Sequence, residues 1–324
     1  MLGRTANDLF WLSRYVERAE NMARLIEVGF RIVLVPRGDA GPDDGTLQHD
    51  WASTLQSAGC AEQYAEKGGA LTTRDVVQFM VFDSSNPSSI RTSLATARRN
   101  ARAQRTALTR EMWECLNSSW IEFEAIDPEN ISSSELLKLL DWVKERSAAY
   151  RGALLNTILR NDTFYFSQLG TFLERADNTA RILDVKYFVL LPRPEMVGSG
   201  VDNSQWAVIL RSVSAHRSYR WVYKDTYRAA GIADFLILNR QMPRSLSSCY
   251  GEITAALDGL SALYAKDGEK EAGCTVKARD TLALLQSSGI DGIFRAGLHE
   301  FLTDFIGRNN AIGAGIADDY HFTA

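Results

Sequence analysis

Apolar residues recur every three or four positions along nearly every long segment of this chain, and convincing two-residue alternation is absent. The first run covers Asn7 to Val35, with Leu12, Val16, Ala19, Ala23, Ile26 and Phe30 on one face at about 100° per residue. Pro36 ends it. The stretch Pro36 to His49 is rich in Gly, Pro and Asp and reads as a loop, and Asp50 to Lys67 reads as a helix closed by Gly68-Gly69. Thr72 three residues before Asp75 predicts a short helix through Phe82. Pro87 opens a much longer one, and Ser132 with Glu135 starts another that runs toward Leu159. Gly307, Gly313 and Gly315 interrupt the carboxy-terminal segment, which predicts a frayed or draped tail.

The same order then recurs. Glu17-Arg18-Ala19-Glu20-Asn21-Met22-Ala23-Arg24 matches Glu174-Arg175-Ala176-Asp177-Asn178-Thr179-Ala180-Arg181 at six of eight positions, and the fourth stays acidic. Downstream, Phe79 to Asp83 followed by Pro87 matches Phe235 to Asn239 followed by Pro243 at nearly the same offset. Two landmarks at one period predict duplication. The expected fold is therefore all-α, a pseudo-symmetric duplicated helical bundle, with repeat 1 at residues 1–156 and repeat 2 at 157–324. No Gly/Ser/Pro linker separates them, so the repeats are expected to pack as one continuous helical body.

The repeated helix carries a polar strip. Arg14, Glu17, Asn21 and Arg24 fall on one side at steps of three and four, and Glu174, Asn178 and Arg181 repeat it, with Thr171 standing where Arg14 would be. A polar strip opposite an apolar face ordinarily meets water, yet identity between the repeats suggests a shared contact. If the two helices cross, Glu17 can meet Arg181 and Glu174 can meet Arg24 in a buried network, which relieves the cost of desolvating lone charges. The same groups could instead surround a cleft for an anionic or peptide-like ligand, and any such site would be asymmetric. The network or site then comprises Arg14, Glu17, Arg18, Asn21, Arg24, Glu174, Arg175, Asn178 and Arg181. Secondary candidates are His216, Tyr219 and Arg220, which lie in a dense run of reactive side chains, and Arg244 with Ser245, which open a helix able to hold a phosphate or carboxylate. Trp11 and Tyr15 could form an aromatic patch with Trp51.

Composition narrows the chemistry. With 324 residues, 45% hydrophobic, the chain can bury a large core; 36 basic against 40 acidic side chains give a net charge of −4, which argues against nucleic acid. The first twenty residues lack the apolar core of a secretory signal, the most apolar runs end too soon to span a bilayer, and four scattered cysteines suit a reducing compartment, so a cytoplasmic location without membrane contact is expected. The chain has no Glu-x-x-His pair, phosphate loop, dinucleotide fingerprint or Gly-x-Ser-x-Gly elbow, so neither metal nor cofactor is expected.

The opening residues Leu2 to Arg24, the second motif at Glu174 to Arg181 and Met242-Pro-Arg-Ser245 resemble the bacterial alpha-E domain family, and the likeness extends over essentially the whole chain. It implies an all-helical protein of unknown function whose gene neighbours or is fused to a circularly permuted ATP-grasp protein and a transglutaminase-like protease. The resemblance thus implies work on a peptide. The favoured reading is a non-catalytic component that docks an ATP-grasp ligase or its peptide substrate. Alternatives are a helical enzyme, with Glu17 or Glu174 as base and Arg24, Arg181 or Arg244 holding an anion, and a structural homodimer.

Overall fold

The computed structural model describes residues 1–33, 44–188, 200–224, 227–264 and 271–322. These residues form fifteen α-helices and one 3₁₀ turn, Pro128–Asn130, with no strand among them. The first half contains α1 (Gly3–Val33), α2 (Asp44–Ala58), α3 (Ala61–Glu66), α4 (Thr73–Val81), α5 (Ile90–Ala103), α6 (Arg110–Glu124) and α7 (Ser133–Thr157). The second contains α8 (Asp162–Phe188), α9 (Gly200–Ser212), α10 (His216–Tyr223), α11 (Ala229–Ile237), α12 (Leu246–Tyr264), α13 (Gly273–Ser287), α14 (Ile290–Ala296) and α15 (Leu298–Asp319).

Local chemistry accounts for many of these boundaries. Thr72 caps α4 by accepting from Asp75 N, and Ser132 with Glu135 forms a reciprocal capping box at the start of α7. Other boundaries differ from the sequence reading. The helix expected from Asp50 to Lys67 starts earlier and breaks at Gly59, whose φ of +71° lies in the left-handed region. The long helix expected after Pro87 is two helices: Ser89 caps α5 and Thr109 caps α6. Pro87 precedes the cap instead of lying in the first turn. Of the loop expected from Pro36 to His49, residues 44–49 are helical instead, as the first turn and a half of α2, while 36–43 and the second proline-interrupted loop within 189–199 lie outside the described residues.

The carboxy-terminal expectation is overturned. α15 runs unbroken to Asp319 through Gly307, Gly313 and Gly315, and Phe322 beyond it packs edge-on against Phe10 and Phe166. Tertiary packing overrides the low helix propensity of glycine here. Gly315 lies against Cys274 of α13, where an added Cβ would make ordinary contact at 3.4 Å.

α1 and α8 lie against each other at the centre, each surrounded by helices of its own half. α1 packs on α2, α4, α5 and α7, and α8 packs on α9, α11, α12 and α15 in the same order. α2 also reaches α8, and α9 reaches α1, so the halves interlock. Leu9, Phe10, Leu25, Val28 and Ile32 of α1 share one apolar cluster with α8 and α12, whereas Met22, Ala23 and Ile26 face Trp51, Phe79 and Met80, and Leu12 and Val16 face Met112 and Leu154. α1 is therefore buried throughout Ala19 to Phe30, and its polar strip mostly meets protein, with Arg14 and Arg18 partly exposed. Gly170 of α8 permits the close crossing: a Cβ there would lie 2.1 Å from the carbonyl oxygen of Phe10.

Candidate functional site

The polar strips of α1 and α8 face each other where the helices cross. Arg175 binds Glu17 in a two-pronged contact, Nε to Oε1 at 2.8 Å and Nη2 to Oε2 at 3.0 Å. Arg18 binds Glu174 in the same way, at 2.5 and 3.0 Å. The Glu-Arg step of each helix thus clasps the Glu-Arg step of the other. Between the clasps, Asn21 Nδ2 donates to the Glu174 carbonyl at 3.0 Å, and Asn178 Nδ2 donates to the Asn21 carbonyl at 3.5 Å.

The expected exchange of Glu17 with Arg181 and of Glu174 with Arg24 is not what forms. Two helices approach most closely at one level, so neighbours in sequence at that level meet across the crossing, while residues two turns away, about 10 Å along the axis, have separated. Arg24 and Arg181 turn back one helical turn instead, to Glu20 and Asp177 respectively. Each also donates to a carbonyl beyond the crossing, Arg24 to Ser212 and Arg181 to Ser57.

Each motif carboxylate has a second guanidinium. Arg14 reaches Glu174 at 2.8 Å, and Arg151 of α7 reaches Glu17 at 2.7 Å. Arg151 therefore does for Glu17 what no residue at position 171 does, since Thr171 bonds the Ser167 carbonyl within its own helix. Glu20 and Arg151 complete the network and were absent from the sequence candidates. Glu20 is 0% exposed and accepts from Arg24, Arg151 and Arg244. Its acidity at the fourth motif position was the available signal; Arg151, on a distant helix, left none.

The secondary candidates divide. Arg244 joins the network through Glu20 and lies 3.3 Å from Glu17 Oε1, so its guanidinium holds carboxylates of its own chain. Ser245 accepts from Ser248 N and donates to the Asn239 carbonyl, which makes it a helix cap. His216, Tyr219 and Arg220 sit apart on α10. His216 Nε2 lies 2.7 Å from Tyr227 Oη, Tyr219 is a buried ring stacked on Tyr223, and Arg220 is exposed. Burial, then Arg211, Arg220 and Arg217, holds the His216 imidazole below its ordinary value. Trp11 and Tyr15 carry Arg14 and Arg18 on their ring faces at 4.8 and 5.0 Å, while Trp51 belongs to the α2–α4 core and donates to Thr73.

Burial alone would raise the motif carboxyls, but the arginines outweigh it. Glu17 is held below its ordinary value by Arg175, Arg151 and Arg244, Glu20 well below by Arg244, Arg151 and Arg24, and Glu174 is lowered to about 2 by Arg18 and Arg14. Arg18 and Arg175 are raised despite burial, through Glu174 and Glu17. Burial lowers Arg244 to about 10, against the pull of Glu20, which still leaves it charged at neutral pH.

The sign of the resulting pH dependence follows from Glu174. Its folded value of about 2 lies below the ordinary 4.5, so the stabilisation is fully present above about pH 4.5 and is lost as pH falls through 2. The difference corresponds to about 3 kcal/mol. Urea midpoints measured from pH 6 to pH 2 should fall more steeply in the parent than in Glu174→Gln. Equal slopes would mean that the arginines do not hold this carboxylate ionised.

On the Glu174 side a pocket of about 220 Å³ opens, lined among others by Arg14, Arg18, Asn21, Ser88, Asp177 and Arg181. The described residues contain no cluster of His, Cys, Asp and Glu able to hold a metal ion, and no helix is long and apolar enough to cross a membrane. All four cysteines are free.

Comparison with family models finds a match over residues 1–321 to a family described as a predicted alpha-helical domain with a conserved ER motif. Glu-Arg steps occur in this chain at Glu17-Arg18, Glu145-Arg146 and Glu174-Arg175, and the first and last of these form the clasps. No curated protein and no solved structure matches it.

Proposed function

The chain belongs to the Alpha-E family, and from that premise we propose that it is a non-catalytic helical component of a peptide-ligation or peptide-modification system, docking an ATP-grasp ligase or its peptide substrate in the cytoplasm. One observation carries the non-catalytic part. Each motif carboxylate is bound by at least two guanidiniums and kept ionised, with its oxygens already taken. A general base must have a free oxygen and titrate near working pH; Glu174 borders the pocket, but its oxygens are held by Arg14 and Arg18, and both Glu17 and Glu174 are held below the ordinary carboxyl value. What remains open to a ligand is the pocket beside Glu174, whose mixture of donors and acceptors suits the polar groups of a peptide.

The test is co-purification of the purified chain with the ATP-grasp protein that the family resemblance implies as its neighbour, with and without ATP, followed by mass analysis of peptides retained. The expected result is a complex that retains a peptide, and that loses it when Asp177 is replaced by Asn. Turnover of a peptide by the isolated chain would overturn the non-catalytic reading, and failure to associate under either condition would overturn the docking role.

A further inference from the structure

The two sides of the helix crossing are built from corresponding residues. Glu17, Glu20 and Arg24 on one side answer to Glu174, Asp177 and Arg181 on the other. Beyond the crossing, Arg24 bonds the Ser212 carbonyl and Arg181 the Ser57 carbonyl, and two residues past each carbonyl the backbone is left-handed, at Ser214 (φ 57°) and Gly59 (φ 71°). Outer helices keep the register too. Ser147 of α7 donates to the Val16 carbonyl at 3.4 Å and Asn309 of α15 donates to the Leu173 carbonyl at 3.0 Å. Four residues further on stand Arg151, which binds Glu17, and Gly313, where a Cβ would lie 3.5 Å from Arg14 Nη1. Arg14 thus occupies the space that Arg151 occupies across the crossing.

The sides differ at one position. Ser89 and Ser245 cap α5 and α12 by accepting from Thr92 N and Ser248 N, and the residue before each cap is Ser88 in one half and Arg244 in the other. Arg244 extends inward and fills its side, ending on Glu20 and Glu17. Ser88 cannot reach so far, and it lines the 220 Å³ pocket. That volume equals roughly seven waters, ample for a guanidinium of four heavy atoms and part of its stem.

The fully buried side-chain atoms left unmet there are acceptors. Asn21 Oδ1 and Asn178 Oδ1 are buried without a hydrogen-bond partner, and both residues line the pocket. Asp177 Oδ1 receives only a 3.4 Å contact from Arg181 Nη2. The pocket arginines, by contrast, direct their Nε–H groups at carboxylates, Arg14 and Arg18 to Glu174 and Arg181 to Asp177. A buried acceptor without a donor is costly, so the complementary ligand brings N–H groups.

We propose that this pocket receives the guanidinium of an arginine side chain from a bound peptide, whose donors meet Asp177, Asn21 and Asn178 in the place that Arg244 takes on the opposite side. The proposal rests on the peptide-docking reading and names the side chain that docks. A fourth arginine is tolerable, since the closed side already seats Arg244 beside Arg24, Arg151 and Arg175 against two glutamates, and Arg244 stays protonated at neutral pH.

Calorimetric titration of the full chain with three blocked tripeptides, Ala-Arg-Ala, Ala-Lys-Ala and Ala-Glu-Ala, and with inorganic phosphate tests it. The arginine peptide should bind at least about tenfold more tightly than the others, the factor that one charge-assisted hydrogen bond provides. Ser88→Arg should fill the pocket from within and abolish this binding. Asp177→Asn, which alters only a part-exposed ion pair and should fold, is expected to weaken it about tenfold. Preference for phosphate, the glutamate peptide or the lysine peptide would overturn the proposal. So would absence of arginine-peptide binding, or unchanged binding in Asp177→Asn. Because no ligase is present in this titration, its result separates the arginine site from the docking role: loss of ligase association with arginine binding intact would sink only the latter.

Discussion

Replacing Glu17 by Gln is expected to lower the unfolding free energy by about 3–5 kcal/mol, the range for removing one partner of a buried ion pair. Glu17 is 1% exposed and lies among Arg175, Arg151 and Arg244. Gln keeps the shape and one acceptor, but it removes the charge and turns an amide N–H group toward a guanidinium. The loss then falls most on the buried Arg175 and Arg244, and Glu20 alone must balance the arginines on that side. Urea unfolding of the variant beside the parent measures the effect. A variant of parental stability that no longer associates with its ligase would instead make the clasp a binding surface.

Gly170→Ala should cost on the order of 3 kcal/mol, at the upper end of the usual range for overpacking. The added Cβ would lie 2.1 Å from the Phe10 carbonyl oxygen and 3.1 Å from Arg14 N, both backbone atoms, so α1 and α8 can admit it only by moving apart. Separation at that level would also lengthen the contacts of Arg14 and Arg18 with Glu174, a few residues along. In an isolated helix the same substitution gains about 1 kcal/mol from propensity. The sign of the change in thermal or urea midpoint therefore decides the matter, and a stabilised variant would show that the helices do not cross closely at Gly170.

The amino-acid order alone dictates the all-helical class, because a three-to-four periodicity belongs to the chain and needs no neighbour to be read. It also determined the caps at Thr72 and Ser132, since those contacts span three residues. Glu17, Arg18, Glu174 and Arg175 stood out because the chain writes the motif twice. Which arginine meets which glutamate was decided by tertiary structure alone. Partners 156 to 160 residues apart are selected by the level at which two helices cross, and that level is set by where a small residue, Gly170, lets the backbones touch. Arg151 and Arg244 entered the network from α7 and from the turn before α12, with nothing near them in sequence to announce it. The unbroken α15 has the same origin: its glycines weaken an isolated helix, but packing against α8 and α13 holds it. The pocket, finally, follows from Ser88 standing where the other half has Arg244, a difference that acquires meaning only when both positions are seen to face corresponding carboxylates.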